Sequence, residues 1–220
     1  MITQIYETQN STEAEGLVSV GVNHIGVLVG SGEYPREFTP EQAKEILHGV
    51  TGNAKKVVLS LSGNLGNIIE IVNKTNPDIL HLGAVPEHLL PEDVRILKKQ
   101  FPNLKIMRSI PVKDKESINL AKQYEGIADY LLLDTQKKGD TQFGATGETH
   151  NWKVSKKIVE SVKIPVILAG GLGVDNVAEA IKQVHPYGVD SKTKTDKAGS
   201  HRKDIDKVRR FVEIAKSALG

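Results

Sequence analysis

Short apolar runs alternate with amphipathic segments along the whole chain. The predicted strands are residues 2–6, 24–30, 55–62, 78–83, 104–110, 129–134, 164–170 and 188–192. Most of these runs are apolar at nearly every position instead of at every second one, which is typical of strands covered on both faces. The pattern therefore predicts a parallel sheet with helices packed against it.

The segments between the strands have the apolar spacing of helices that bury one face. Such stripes occur at Ala43, Ile46, Leu47 and Val50, at Leu65, Ile68, Ile69 and Val72, at Val177, Ala180, Ile181 and Val184, and at Ile205, Val208, Val212 and Ala215. The sequence TPEQ at 39–42 precedes the first stripe, and it offers an N-cap hydroxyl, a proline at the first helical position and a capping-box glutamine. Each predicted strand is thus followed by a helical segment.

Eight strand–helix units predict an α/β fold, a (β/α)8 TIM barrel that occupies residues 1–220 as a single domain. A chain of 220 residues is close to the lower limit for this architecture. A doubly wound open sheet is the alternative, but no glycine-rich dinucleotide fingerprint follows the first strand. In a barrel the active site lies at the carboxyl ends of the strands, so residues just after each strand are the functional candidates.

Composition narrows the classes of function. Hydrophobic residues make up 39% and charged residues 25% of the chain, as in ordinary globular proteins. A net charge of +2 gives no basis for binding nucleic acid or a membrane. The absence of cysteine excludes disulfides, thiolate metal sites and a cysteine nucleophile, and no histidine spacing predicts a metal site. No signal peptide or membrane-length apolar run is visible, so a cytoplasmic location is expected.

The loops after the seventh and eighth predicted strands indicate an anion site. Gly170 and Gly171 follow the seventh strand, and Lys192 and Thr193 stand at the end of the eighth. Glycines let backbone amides approach a ligand, lysine and threonine add donors, and these two loops of barrels frequently bind phosphate together. The alternative is a tight turn beside a solvated polar loop. The partner expected from this pattern is a small phosphorylated substrate.

Polar residues near other strand ends are further candidates. Asp134 ends the sixth strand and could act as a general acid or base, or it could only cap the long loop 135–150. Arg36 could bind an anionic substrate or stand on the surface. His81 could face a ligand or be hydrogen-bonded within the protein. Arg108 is an unusual charge in an apolar strand, and it needs a partner if it points inward.

Five segments resemble the phosphoribosylanthranilate isomerase family in order and spacing, and together they span nearly the whole chain. They are YPREFTPEQA (34–43), ADYLLLD (128–134), FGATGETHNW (143–152), PVILAGGLGVDNVAEAI (165–181) and PYGVD (186–190). The glycine–threonine–glycine–glutamate loop joined to the later VILAGGL is specific to this family. The resemblance supports the barrel assignment.

The resemblance implies an Amadori rearrangement of N-(5-phosphoribosyl)anthranilate in tryptophan biosynthesis, with no cofactor. In this reaction an acid protonates the furanose ring oxygen, the ring opens, and a base removes the proton at C2. The family's acid falls on Asp134, its substrate-loop arginine on Arg36, and its phosphate glycines on Gly170 and Gly171. Whether the protein is a monomer or a homodimer stays open.

The sequence departs from the family at the base. The family's first strand ends with lysine, isoleucine, cysteine and glycine, and Tyr6 stands here at the position of the basic cysteine. A phenol with a pKa near ~10 is a poor base at neutral pH, so Tyr6 is expected to hydrogen-bond a substrate oxygen. Glu7 and His81 are the candidate bases, although Glu7 must lie in the loop to face the same side as Tyr6.

Three functions therefore remain open from the sequence. The first is an isomerase of this family with a substituted or displaced base. The second is a diverged barrel enzyme that acts on another phosphorylated sugar or aromatic ribotide and keeps Asp134 as its acid. The third is a non-catalytic protein that has kept the phosphate-binding loops.

Overall fold

In the computed structural model, which describes residues 1–135 and 149–218, eight parallel strands pair in chain order, and the first pairs with the last to close a barrel. The strands are β1 (Ile2–Ile5), β2 (His24–Leu28), β3 (Lys55–Ser60), β4 (Ile79–Leu82), β5 (Lys105–Pro111), β6 (Tyr130–Asp134), β7 (Val166–Leu168) and β8 (Gly188–Ser191). Each strand coincides with a predicted run to within a few residues. The predicted TIM barrel is confirmed, and the open sheet is excluded.

A helix follows each strand and packs on the outside of the barrel. The helices are α1 (Ser11–Ser19), α2 (Pro40–Leu47), α3 (Leu65–Thr75), α4 (Pro91–Gln100), α5 (Lys115–Gln123), α6 (Trp152–Ser161), α7 (Val177–Val184) and α8 (Ile205–Ser217). A short 3₁₀ helix, Thr193–Thr195, stands between β8 and α8. Among the residues that the structure describes, none of the helices is long and apolar enough to cross a membrane.

Side-chain caps fix the start of most helices. At α2 the predicted capping box is present, because the Thr39 hydroxyl accepts from the Gln42 amide at 3.3 Å and the Gln42 side chain accepts from the Thr39 amide at 2.9 Å. Side-chain oxygens also cap α1, α3, α5, α6 and α8, and they belong to Asn10, Asn64, Asp114, Asn151 and Asp204. These caps satisfy free amides at the strand-to-helix turns, which are the turns that surround the mouth of the barrel.

Apolar residues form two layers of core. The larger layer lies between the sheet and the helices. The smaller layer fills the inside of the barrel, and its buried members are Tyr6, Val57, Ile79, Met107, Leu132, Ile167 and Ala169. Successive strand residues point to opposite sides, so a strand such as β3 contributes to both layers, with Val57 in the inner one and Val58 in the outer one. The inner layer lies directly below the polar residues of the mouth.

The charge of Arg108 is buried in the outer layer and does not reach the mouth. Its guanidinium donates to the carbonyl oxygens of Leu82 and Ala84, both at 2.8 Å, and lies 5.4 Å from the centre of the Tyr124 ring. The sequence predicted that an inward-pointing Arg108 would need a partner, and these partners are two backbone carbonyls and the face of an aromatic ring. Arg108 therefore links the end of β4 to β5.

Replacing Arg108 with alanine is expected to lower the free energy of unfolding by about 3 kcal/mol, because buried carbonyl groups lose their donors and a cavity remains. Urea denaturation at neutral pH measures the change. Arg95→Ala on the exposed face of α4 is the matched control, and its effect should stay within about 0.5 kcal/mol. Equal stability of the Arg108 and Arg95 variants would contradict a structural role for Arg108.

Candidate active site

The carboxyl ends of the strands and the loops after them enclose one cavity at the mouth of the barrel. Eight of the nine residues predicted for the site line this cavity: Tyr6, Glu7, His81, Asp134, Gly170, Gly171, Lys192 and Thr193. The ninth, Arg36, contacts Glu7 from the loop after β2. Asp190, which the sequence analysis did not select, lines the cavity as well.

Tyr6 is almost fully buried, and its hydroxyl belongs to a hydrogen-bonded chain. The Tyr6 oxygen lies 2.8 Å from Nδ1 of His81, and Nε2 of His81 lies 2.7 Å from the Ser109 hydroxyl. The Tyr6 ring occupies the space beside Gly26, where an added Cβ would come within 2.0 Å of a ring carbon. Burial, together with the charge of Asp190, raises the pKa of Tyr6 well above its usual value. Tyr6 is therefore a neutral phenol that exchanges hydrogen bonds and does not act as a base.

His81 is poorly suited to proton abstraction in this arrangement. Burial and the positive charge of Arg108 lower the pKa of His81 to about 3, so the imidazole is neutral at neutral pH. Both ring nitrogens are already engaged, one by Tyr6 and one by Ser109. Of the two sequence interpretations of His81, the geometry favours the histidine that is hydrogen-bonded within the protein.

Glu7 is held by two cations at the rim of the mouth. Its carboxylate accepts from Nε of Arg36 at 2.6 Å and lies 2.5 Å from Nζ of Lys192. Burial favours the neutral acid, but hydrogen bonds and positive charge from Arg36 and Lys192 outweigh it and lower the pKa of Glu7. Because β1 ends at Ile5, Glu7 lies in the loop, where strand alternation no longer separates it from Tyr6. Glu7 is thus an ionised carboxylate inside the cavity.

Asp134 and Asp190 form a coupled pair of carboxyl groups with unusually high pKa values. Burial raises the pKa of Asp134 to about 6, against hydrogen bonds from Thr135 and the charge of Lys192. Burial and the charge of Asp134 raise the pKa of Asp190 to about 8, against a hydrogen bond from Gln4 at 3.1 Å. Between these values the pair holds one proton. Two carboxyl groups in this state can supply an acid at neutral pH.

The position of Asp190 in the sequence is itself a signal of an inward-facing polar residue. Asp190 lies inside the predicted strand 188–192, where a charged residue has to point either into the barrel or into the helical layer. In the structure it is paired in register with Gln4 of β1, and both side chains point into the barrel. A charged residue inside the eighth strand, two positions before Lys192, therefore indicates a residue that lines the cavity.

The loops after β7 and β8 lie side by side. The Ser191 hydroxyl donates to the carbonyl oxygen of Leu172 at 2.6 Å and joins the two loops. Gly170 and Gly171 have φ values of 83° and 63°, which favour glycine. The side chain of Lys192 extends from these loops toward Glu7. The residues selected for an anion site are thus close together, and their single cation, Lys192, is paired with the Glu7 carboxylate.

A buried ion pair supports Lys192 from the protein side. Lys203 is buried against Asp196, with which it forms an ion pair, and its Nζ also donates to the carbonyl oxygen of Lys192 at 3.0 Å. Burial lowers the pKa of Lys203, and the Asp196 carboxylate opposes that shift. The backbone at Lys192 is therefore fixed where its side chain reaches the cavity.

The loop 135–150, which the sequence marks as a functional candidate, lies mostly outside the described residues, because these do not include 136–148. Elsewhere, over 1–135 and 149–218, no group of three or more histidine or carboxylate side chains is arranged to hold a metal ion.

Comparison with known proteins gives a consistent result. The family model described as N-(5'phosphoribosyl)anthranilate (PRA) isomerase matches residues 5–214. The N-(5'-phosphoribosyl)anthranilate isomerase of Methanocella arvoryzae is 36% identical over 211 residues, covering 96% of this chain and 95% of that protein. That of Haloferax volcanii is 31% identical, covering 96% of this chain and 91% of that protein. The structure of the isomerase from Pyrococcus furiosus has a TM-score of 0.80 at 28% identity, and 99% of each chain is covered.

The raised pKa of Asp190 predicts that this residue destabilises the fold as pH rises. The unfolded carboxyl has a pKa near ~3.9 and the folded one about 8, so the folded state binds more protons between these values and loses stability with increasing pH. Asp190→Asn keeps an acceptor for Gln4 and removes the charge. Its stability relative to wild type should increase from pH 5 to pH 8 by on the order of 3 to 4 kcal/mol.

Urea denaturation at both pH values measures this difference. Asp175→Asn, which changes an exposed aspartate in the loop after β7, is the control, and its effect should be the same at both values. A difference for Asp190→Asn that does not change with pH would show that the Asp190 carboxyl is not protonated in the folded protein.

Proposed function

The chain belongs to the N-(5'-phosphoribosyl)anthranilate isomerase family, an enzyme family of tryptophan biosynthesis, and we propose that it catalyses the Amadori rearrangement of N-(5-phosphoribosyl)anthranilate. The observation that supports this most strongly is the raised pKa of Asp134 at the end of β6, in the same cavity as the joined loops after β7 and β8. These are the places at which the reaction needs an acid and a phosphate site.

Asp134 is the acid of the first step. It donates a proton to the furanose ring oxygen, and the bond from C1 to that oxygen breaks with its electron pair left on oxygen. The amine nitrogen then shares its lone pair with C1 to form the open-chain iminium. Asp190 is more buried than Asp134 and holds the proton of the pair at neutral pH, so Asp190 supplies Asp134 with the proton that Asp134 passes to the ring oxygen.

Glu7 is the base of the second step. It is the ionised carboxylate that follows the strand end where the family places its cysteine, whereas Tyr6 and His81 are both neutral and hydrogen-bonded to each other. Glu7 removes the proton at C2, the electrons of that C–H bond form the double bond between C1 and C2, and the π electrons of the iminium bond return to nitrogen. Protonation at C1 and loss of the proton on the C2 oxygen then give the ketone.

The cations that hold Glu7 are also the groups that bind the substrate's anions. A phosphate or carboxylate that engages Lys192 or Arg36 weakens their interaction with Glu7. Burial, which already favours protonation of Glu7, then raises its pKa and makes it a stronger base. Substrate binding in this way increases the basicity of Glu7 at the time when the proton at C2 has to be removed.

A second candidate function follows from the ion pair between Glu7 and Arg36. If Arg36 stays paired with Glu7, the mouth offers less positive charge to the carboxylate of an anthranilate group. The same acid and base would then serve the rearrangement of a phosphorylated ribotide with an uncharged amine substituent. A comparison of N-(5-phosphoribosyl)anthranilate with such a ribotide separates the two candidates.

Asp134→Asn and Glu7→Gln are each expected to lower kcat for N-(5-phosphoribosyl)anthranilate by about 10²- to 10⁴-fold, the usual cost of losing a general acid or base. A steady-state assay of the ketone product measures the effect. Glu33→Gln removes an exposed carboxylate from the same loop as Arg36 and should leave kcat unchanged. Absence of turnover in the wild-type protein would refute the proposed reaction, and full activity of Glu7→Gln would refute only the assignment of the base.

The pH dependence of kcat/KM should report the carboxyl pair. In the wild type the pair keeps its last proton up to pH about 8, so the rate is expected to decrease above that value. In Asp190→Asn the proton has to reside on Asp134, whose pKa is about 6, and the decrease should begin near pH 6. Identical profiles for the two proteins would mean that Asp190 does not supply the proton.

A further inference from the structure

Three polar residues of neighbouring strands form a hydrogen-bonded chain inside the barrel. Gln4 of β1 is in register with His24 of β2 on one side and with Asp190 of β8 on the other. Nδ1 of His24 lies 3.1 Å from Oε1 of Gln4, and Nε2 of Gln4 donates to Oδ1 of Asp190, also at 3.1 Å. All three side chains are buried, and Asp190 is the one that lines the cavity at the mouth. Gln4 and His24 can therefore influence the reaction through Asp190.

The contacts of the Gln4 amide fix its orientation. Its nitrogen carries two hydrogens, of which one is donated to Asp190 and the other faces the sulfur of Met107 at 3.7 Å. A thioether sulfur is a weak acceptor and has no hydrogen to donate, so the reverse orientation of the amide would place two acceptors against each other. The amide oxygen consequently points to His24 and accepts from it.

His24 is held as a neutral donor at the far end of the chain. Burial and the positive charge of Lys55 lower the pKa of His24 to about 4, although the charge of Asp78 opposes this shift. The neutral ring has one N–H, and the contact with the Gln4 oxygen places it on Nδ1. The ring also packs against the Tyr130 ring at 5.7 Å and an interplanar angle of 80°. The hydrogen bonds therefore run in one direction, from His24 to Asp190.

This direction determines which oxygen of Asp190 carries the proton. A protonated carboxyl group accepts a hydrogen bond better at its carbonyl oxygen than at its hydroxyl oxygen. Because Gln4 donates to Oδ1, the proton resides on Oδ2. The other ionisable groups that act on Asp190 come from different parts of the barrel, and they are Asp134, Lys192, Lys203 and Tyr6. Gln4 is an uncharged donor among them, so it orients the carboxyl group without neutralising its charge.

We propose that Gln4 is a positioning residue for the acid: oriented by His24, its amide occupies Oδ1 of Asp190 and keeps on Oδ2 the proton that passes to Asp134. In this transfer the O–H bond at Oδ2 breaks, its electron pair stays on Asp190, and a new O–H bond forms on the Asp134 carboxylate. The use of the proton rests on the proposed function. Its location rests on the three aligned side chains.

Gln4→Met keeps the size of the side chain and removes both of its hydrogen bonds. Because the donor that stabilises the ionised form of Asp190 is lost, the Asp190 carboxyl should titrate about one pH unit higher than in the wild type. ¹³C NMR of the aspartate carboxyl carbons measures the titration in the ligand-free protein, and the signal is identified by its absence in Asp190→Asn. Thr3→Val removes a hydrogen bond to Asn23 from the adjacent position of β1, and this control should leave the titration unchanged.

His24→Phe removes the other end of the chain, keeps an aromatic ring beside Tyr130 and leaves Gln4 in place. The Gln4 amide can then turn and accept from the protonated Asp190, which favours the protonated form. Asp190 should therefore titrate at least about 0.5 pH units higher than in the wild type. A titration that is unchanged or lower in either variant would overturn the proposal, and His24→Phe decides the result if Gln4→Met does not fold.

Activity gives a second readout. With N-(5-phosphoribosyl)anthranilate, Gln4→Met should lower kcat about fivefold to tenfold, the equivalent of one hydrogen bond, leave KM unchanged and move the alkaline decrease of kcat/KM to higher pH. A lower kcat with an unmoved alkaline decrease would indicate a merely structural role and overturn the proposal. If the wild type does not turn over this substrate but the NMR titration shifts, the proposed function alone is refuted. Turnover with an unshifted titration refutes the role of Gln4 alone.

Discussion

The pairing of β1 with β8 is the constraint on which the site depends. It closes the barrel and places Gln4 beside Asp190 and Ile5 beside Ser191, residues that are far apart in the chain. The same alignment continues past the strand ends, because the Tyr6 amide donates to the Ser191 carbonyl at 3.1 Å. Because the two chain segments stay aligned beyond the strands, Glu7 after β1 can form its ion pair with Lys192 after β8. The electrostatics of the mouth are therefore a consequence of strand register.

The closed barrel produces opposite pKa shifts in carboxyl groups that share one cavity. Glu7 is surrounded by the cations of two loops, which keep it ionised despite its burial. Asp134 and Asp190 are buried with less compensation, and they repel each other as charged groups, so together they retain a proton. A base and an acid are thus available at the same pH, because each carboxyl responds to its own neighbours.

Sequence periodicity was sufficient for the fold because each strand and helix is specified locally. The apolar runs, the stripe at Val177 to Val184 and the capping box at Thr39 all depend on residues within one element. The positions after the strands then identified most of the residues that line the mouth. Which of them are paired with each other could not be predicted, because the contacts of His81 and Glu7 join residues from different units of the barrel.

The site residue missed in the sequence, Asp190, owes its importance to burial. Asp190 lies within a strand, and its pKa is raised because the closed barrel excludes water and brings Asp134 near. Chemistry that depends on desolvation cannot be assigned from residue type and spacing alone.

The tyrosine at position 6 is built into the floor of the barrel. The ring of Tyr6 needs the space beside Gly26, and its hydroxyl is the partner of a buried, neutral His81. A cysteine at position 6 would leave a gap beside Gly26 and an unpaired ring nitrogen on His81, both of which are destabilising. A thiol at this position would therefore lie in an environment that fits a phenol. The carboxylate that follows it, Glu7, is held at the rim by Arg36 and Lys192, and this is the group to which the proposed function assigns proton abstraction.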